Sequence, residues 1–265
     1  MLIFVCCPCL ALADSGLQLF SADYTLSVDG QVVGHGTRSL RALDDHTYQF
    51  TTTADAGMLA HADEQSTFVR LPTGALQPLH YQLNRSMLFS HRHTDLAFNW
   101  PEKILTTQTE RDPQRTFRLM PDTLDKLVVE IRMRQDLAQN HTPLEYNLAD
   151  ADGIRTYRYV RGAHETLQTA LGALDTLRIE HPEPKDSPRS TVFWVAPSLD
   201  YIPVQVTQNE HGTIFILKIS ALRKTNMTQP ISASQVPPNN QDPSNSQEPS
   251  LDNLHLPDIP KPTPP

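Results

Sequence analysis

The stretch "HRHTD", residues 91–95, comes nearest in residue type and spacing to a metal site. On an extended strand, side chains alternate between faces, so His91, His93 and Asp95 would project from one side as two imidazoles and a carboxylate. Eleven histidines make such a pair common by chance, and Arg85 and Arg92 place positive charge beside it, so no resident metal is expected. Acid/base chemistry needs convergent titratable groups, and Glu64, Glu165 and Asp175, with His91 and His93, are the residues available for it. A hydrolase or lyase would bring two or more of these within hydrogen-bond reach in a cleft. "DADG" at residues 150–153 looks like the middle of a calcium loop. Leu148 and Tyr159 stand where that loop needs oxygen ligands, so it is read as a hairpin turn. The chain has no Gly-x-Ser-x-Gly, no HExxH and no complete phosphate loop, and neither catalytic residues nor a cofactor are expected.

A second stretch, "FWVAPSLDYIPVQV" at residues 193–206, sets Asp200-Tyr201 between Pro197 and Pro203 and carries one of the two tryptophans. Pro197 lacks a backbone donor and ends a strand, whereas Pro203 biases Ile202 towards an extended conformation. The carboxylate of Asp200 is of a type that closes turns by accepting backbone amides. The stretch therefore reads as strand, wide turn and strand. Trp100, Trp194, Asp200, Tyr201 and Pro203 are the candidates for ligand contact.

The elements that must position these residues are mostly strands. Phe20, Ala22, Tyr24, Leu26 and Val28 alternate with polar neighbours, the period of a half-buried strand, and Asp29-Gly30 supplies a tight turn. Similar strands are expected at 47–53, 65–70, 76–83, 93–100, 115–119, 144–148, 154–160, 165–169, 173–181, 191–195, 204–208 and 213–222. Many short strands separated by turn signals predict a mainly β fold, a large curved antiparallel sheet curled into a half-open β-barrel. One helix is expected, at about residues 122–139. Leu124, Leu127, Val128 and Ile131 recur at helical spacing, Asp122 is the expected cap with Asp125 at N3, and Pro143 lies beyond the stop near Asn140. Its narrow apolar stripe should lay one face on the sheet.

Residues 14–225 form this single β-rich domain between two segments of different character. Residues 1–13 are an apolar run ending Ala11-Leu12-Ala13, a signal peptide cleaved after Ala13. No Lys or Arg precedes the run, which suggests a start a few residues upstream. Cys6, Cys7 and Cys9, the chain's three cysteines, all fall inside it and leave the exported part without disulfide, thiol nucleophile or cysteine-based zinc site. Residues 226–265 hold ten prolines and no glycine, Phe, Trp or Tyr, so they read as a disordered tail that would serve as a spacer or bind a protein partner. A net charge of -8 over 265 residues argues against nucleic acid and against an anionic membrane surface as partners. No apolar stretch reaches the roughly 18 residues needed to span a bilayer as a helix.

Several blocks of the chain, taken in order, resemble a bacterial exported family known only as domain of unknown function 3108. They are "FSADYTLSVDGQVVGHG", "LQPLHYQLNR", "LAFNW", "PDTLDKLVVEIRMR", "ETLQTALGALDTLRIE" and "FWVAPSLDYIPVQVTQNEHGTIFILKI", and together they reach from about residue 18 to 222. Asn99 stands where an Asp is usual in that family. The resemblance implies an exported β-rich domain in a Gram-negative envelope, in the periplasm, and implies no catalytic residues. The expected function is a non-catalytic binding or carrier module for an apolar or polymeric envelope ligand, a lipid or glycan. That reading needs a concave apolar cavity, with Trp100 or Trp194 near its mouth. The alternative is an assembly protein that uses its surface and residues 226–265, and the third is the hydrolase or lyase above.

Overall fold

A computed structural model describes residues 17–225 apart from Leu59, Leu88, Phe89 and residues 183–186. The expected signal peptide at 1–13 and the proline-rich tail at 226–265 lie outside the described residues. Eight strands come first: β1 (Leu19–Val28), β2 (Gln31–Ala42), β3 (Thr47–Asp55), β4 (Ala60–Arg70), β5 (Leu76–Met87), β6 (Ser90–Asn99), β7 (Ile104–Thr109) and β8 (Arg115–Arg118). A two-residue strand, β9 (Thr123–Leu124), leads into the helix α1 (Val128–Ala138). The chain then forms β10 (Leu144–Asp150), β11 (Gly153–Thr169), β12 (Gly172–Glu180), β13 (Arg189–Ala196), β14 (Ile202–Glu210) and β15 (Thr213–Thr225).

The fifteen strands among the described residues belong to one sheet, which β1 and β15 join in the middle by antiparallel pairing. From that seam one wing runs β2 to β8 and the other β14 back to β9. The hairpins follow the turn chemistry of the sequence: Asp29 and Gly30 both take positive φ, 48° and 84°, as a tight turn between twisted strands requires.

The concave face is apolar because strand periodicity puts it so. Phe20, Ala22 and Tyr24 of β1, Tyr48 and Phe50 of β3, and Ser66 and Phe68 of β4 are all buried. Along β5 the phase changes. The register shifts between Thr67 and Phe68 of β4, opposite His80 and Pro78, so Leu79 stands unpaired and exposed. This bulge lets Leu76 and Tyr81, five residues apart, reach the same core. Gly34 answers a different need, since a Cβ there would sit 1.9 Å from the carbonyl oxygen of Asp55.

The sheet is half-open, and the expectation of a β-barrel in the strict sense is corrected. The strand order ends at β8 on one side and β9 on the other, and no ladder joins them. Both edge strands are short, four and two residues, and offer little backbone to pair. Side chains bridge the gap instead. The Phe117 ring lies over Gly153, where a Cβ would be 3.1 Å from it, Thr107 Oγ1 donates to the Ala151 carbonyl at 3.2 Å, and Arg115 meets Asp152 at 3.4 Å.

The helix starts later than the sequence predicts. Asp122 takes a left-handed φ of 54° and Thr123-Leu124 pair in parallel with Asn147-Leu148, so neither can belong to a helix. The cap is Asp125, whose Oδ1 accepts the amides of Leu127 and Val128 at 2.8 and 2.9 Å. The C-terminal stop falls where expected. Asn140 is left-handed at φ 55°, its amide donates to Leu137 and that of His141 donates to Asp136, closing a Schellman motif.

Candidate functional site

The helix does not lay one stripe on the sheet; it sits inside the curve of the sheet. Val128, Val129, Ile131, Met133 and Leu137 join the hydrophobic core, and Glu130, Arg134 and Asp136 are buried with them. The concave space that an apolar ligand would need is filled by α1. Burying charge is costly unless it is paired, so the partners of these polar residues decide what the interior can do.

At the start of α1, Asp125 is fully buried and its Oδ2 accepts the Ser66 hydroxyl at 2.5 Å. Nearby, Tyr81 donates to Glu64 at 2.5 Å. Burial pushes the Asp125 carboxyl up to about 6, against the downward pull of Ser66 and of the Val128 and Leu127 amides. At the far end, Asp136 accepts Arg132 at 3.0 Å, Tyr146 at 3.0 Å and His141 at 3.2 Å, tying the helix to β10.

The middle of α1 is different. Glu130 pairs with Arg38 of β2, an ion pair with both side chains under 10% exposed. One turn later Arg134 donates from Nε to the Asp200 carbonyl at 2.8 Å, and its guanidinium lies 4.9 Å from the centre of the Phe20 ring. Arg134 Nη1 and Glu130 Oε1 are buried and have no hydrogen-bond partner among the described residues. The two arginines consequently titrate in opposite directions. For Arg38, burial pulls down but Glu130 and Tyr24 hold it above the ordinary value; for Arg134, burial wins and lowers it.

Arg134 forms part of the wall of a cleft of about 520 Å3 between α1 and the corner after β13. Leu17, Leu40 and Ile131 give it an apolar side, and Arg70, Gln135 and Tyr201 line it further. Two of the sequence candidates, Asp200 and Tyr201, lie here. Both are left-handed, at φ 56° and 57°, and the Tyr201 amide donates to Ala196 at 2.9 Å to close the corner. The Asp200 carboxylate does not close the turn as expected; it pairs with Lys224 at 2.5 Å. Pro203 is buried opposite Val195 beside a register shift, and its carbonyl accepts the Tyr24 hydroxyl at 2.7 Å.

The other candidates are dispersed. Trp100 stacks on Phe98 and donates to the Pro78 carbonyl at 2.7 Å, and Trp194 donates to Glu165 at 3.2 Å. Neither tryptophan borders the cleft beside Arg134. His91 and His93 line a second cleft, of about 330 Å3, while Asp95 turns to His80 at 2.7 Å and His93 to Asn84 at 2.7 Å. Among the described residues no group of three His, Cys, Asp or Glu side chains is placed to hold a metal ion. The acid/base candidates each have a separate partner: Tyr81 for Glu64, Trp194 for Glu165, and His164, at 3.0 Å, for Asp175. Glu165 pairs with Thr176 and Thr166 with Asp175, so the two carboxylates project from opposite faces of the ladder.

Sequence reasoning missed Arg38, Glu130 and Arg134. Glu130 and Arg134 lie off the expected apolar stripe of Leu124, Leu127, Val128 and Ile131. The signal that was present is Arg38, which shares the inward phase of β2 with Leu40.

A family model described as "Protein of unknown function (DUF3108)" matches residues 23–213. The search of curated proteins returned no match. Among solved structures, the chain is similar to a crystal structure of a beta-barrel-like protein of domain of unknown function DUF1849 from Brucella abortus. The TM-score is 0.51 at 14% identity, over 80% of this chain and 99% of that one, a likeness of fold. No helix among the described residues is long and apolar enough to cross a membrane.

Proposed function

The chain belongs to the DUF3108 family, and from its geometry we propose that it is a non-catalytic binding module of the bacterial envelope, with its ligand site in the cleft beside the second half of α1. The observation that carries this reading is Arg134. An arginine only 7% exposed, with a buried donor atom that no described protein group takes up, lines a cleft that also has an apolar side. A purely structural arginine at such a site would be expected to have its donors satisfied. The separate partners of Glu64, Glu165 and Asp175 support a role without catalysis.

Export is part of the proposal and rests on the sequence of residues 1–13 and on the absence of cysteine thereafter. In place of the expected concave apolar cavity, the ligand would occupy a side cleft, because α1 packs the interior.

Native mass spectrometry of the protein purified from its own envelope tests the reading. The wild type should carry an added mass. Ala138→Trp, a change at an exposed helix position lining the cleft, should lose that mass without disturbing the core. Identical bare spectra for both proteins would sink the proposal.

A further inference from the structure

Resting on that reading, we infer that the group anchoring the ligand is an anion, a carboxylate or phosphate, held against the Arg134 guanidinium, with an apolar portion along Leu17, Leu40 and Ile131. Three observations carry the inference, beginning with the balance of buried charge. Arg38 and Arg134 flank one carboxylate, Glu130, and Glu130 is bonded to Arg38. Tyr24 beside them is a phenol that burial keeps protonated. Of the two guanidiniums only Arg38 is bonded to a carboxylate; Arg134, which lines the cleft, is not, although Asp200 acts on it at longer range. Such a charge is costly to bury alone, and a ligand anion would neutralise it.

The second observation is the composition of the wall. Beside Arg134, Gln18, Gln135 and Gln139 add neutral amide donors, and Asp200 is the single acid. Its carboxylate is already paired with Lys224. The C-terminal end of α1 also faces this cleft, and its dipole opposes an anion, but only with about half an elementary charge against a whole guanidinium charge. The third observation is the contrast with the cleft near His91. There Arg92, Arg111 and Lys126 are matched by Glu110, Asp112, Asp150 and Asp152, so no sign dominates. The overall charge of -8 does not conflict with a local anion site, because charges farther off than about 8 Å are largely screened at physiological salt.

The source of the anion is either an amphiphile, such as a lipid or fatty acid, or a small free anion, and calorimetry separates them. The probes are octyl phosphate, octanoate, inorganic phosphate and 1-octanol, titrated into the full chain below micellar concentrations. Octyl phosphate and octanoate should bind at least about tenfold more tightly than octanol, since a charge-assisted hydrogen bond is involved. Inorganic phosphate binding as tightly as octyl phosphate would support the anion and assign it to a free small anion; weaker phosphate binding assigns it to an amphiphile.

Arg134→Gln should weaken the charged probes by about tenfold or more and leave octanol unchanged. Gln135→Glu, on a half-buried helix position lining the cleft, should weaken them as well and guards against misfolding of the first variant. Octanol binding as well as octyl phosphate, in wild type and both variants alike, would overturn the anion while leaving a ligand cleft in place. If no probe binds and wild type and Ala138→Trp carry the same mass, both readings fall.

Discussion

The start of α1 and its middle bury similar amounts of polar chemistry and treat it in opposite ways. At the start, both Asp125 oxygens are occupied, by Ser66 and by two helix amides. In the middle, Arg38 and Arg134 flank a single Glu130, and one donor and one acceptor have no partner. Burial alone does not mark a functional residue, since both clusters are buried. The distinguishing property is unfinished hydrogen bonding next to open space: Arg134 lines a cleft, and Asp125 does not border it.

The sharpest way to break the comparison is to remove the shared carboxylate. Glu130→Ala leaves the buried Arg38 guanidinium without its bonded carboxylate and should cost about 3–5 kcal/mol in chemical denaturation. Arg134→Gln removes a guanidinium with no bonded carboxylate and should cost much less, although it loses the bond to Asp200 and the Phe20 contact. Equal losses in the two variants would mean that the protein holds Arg134 as firmly as it holds the Arg38–Glu130 pair.

The start of α1 makes a prediction in pH. The ordinary aspartate value is 3.8, and burial raises that of Asp125 to about 6, so the folded state holds a proton that the unfolded chain has released. The stabilisation is fully present below about pH 4 and is lost as pH rises through about 6, by on the order of 3 kcal/mol. Asp125→Asn keeps an acceptor for the Leu127 and Val128 amides and offers Ser66 a donor, as the protonated acid does. Denaturation curves from pH 4 to 7 should therefore fall for wild type relative to this variant. Parallel curves would show that the bonds from Ser66 and from the Leu127 and Val128 amides already offset burial and the repulsion of Glu64.

Much of this architecture was legible, and the parts that were not share a cause. Alternation in β1 and the Asp29-Gly30 turn are local properties, and the structure follows them. Residues 154–160 and 165–169 were separable by pattern but run on as one strand, β11, through an irregularity between Arg161 and His164. Asp122 has the right residue type for a cap, yet its left-handed backbone and the pairing of Thr123-Leu124 with β10 moved the cap to Asp125. Pairing with a distant strand leaves no trace in local spacing. The site was the least legible part. An inward Arg38 has meaning only once α1 brings Glu130 to it, and that contact spans 92 residues of sequence.

The smallest effect tests whether the two clusters and the corner after β13 are energetically separate. Tyr24 is 2% exposed and donates to the Pro203 carbonyl, which links the central strand β1 to the start of β14. Tyr24→Phe keeps the ring, removes one neutral hydrogen bond and should cost about 1 kcal/mol. Tyr24 lies close enough to Arg134 to influence its charge but does not line the cleft. Octyl phosphate affinity should therefore stay within about twofold of wild type in Tyr24→Phe while it falls in Arg134→Gln. A loss of binding in Tyr24→Phe as large as that in Arg134→Gln would mean that the whole middle cluster shapes the cleft, and the role assigned to the single unpaired guanidinium would have to be shared with it.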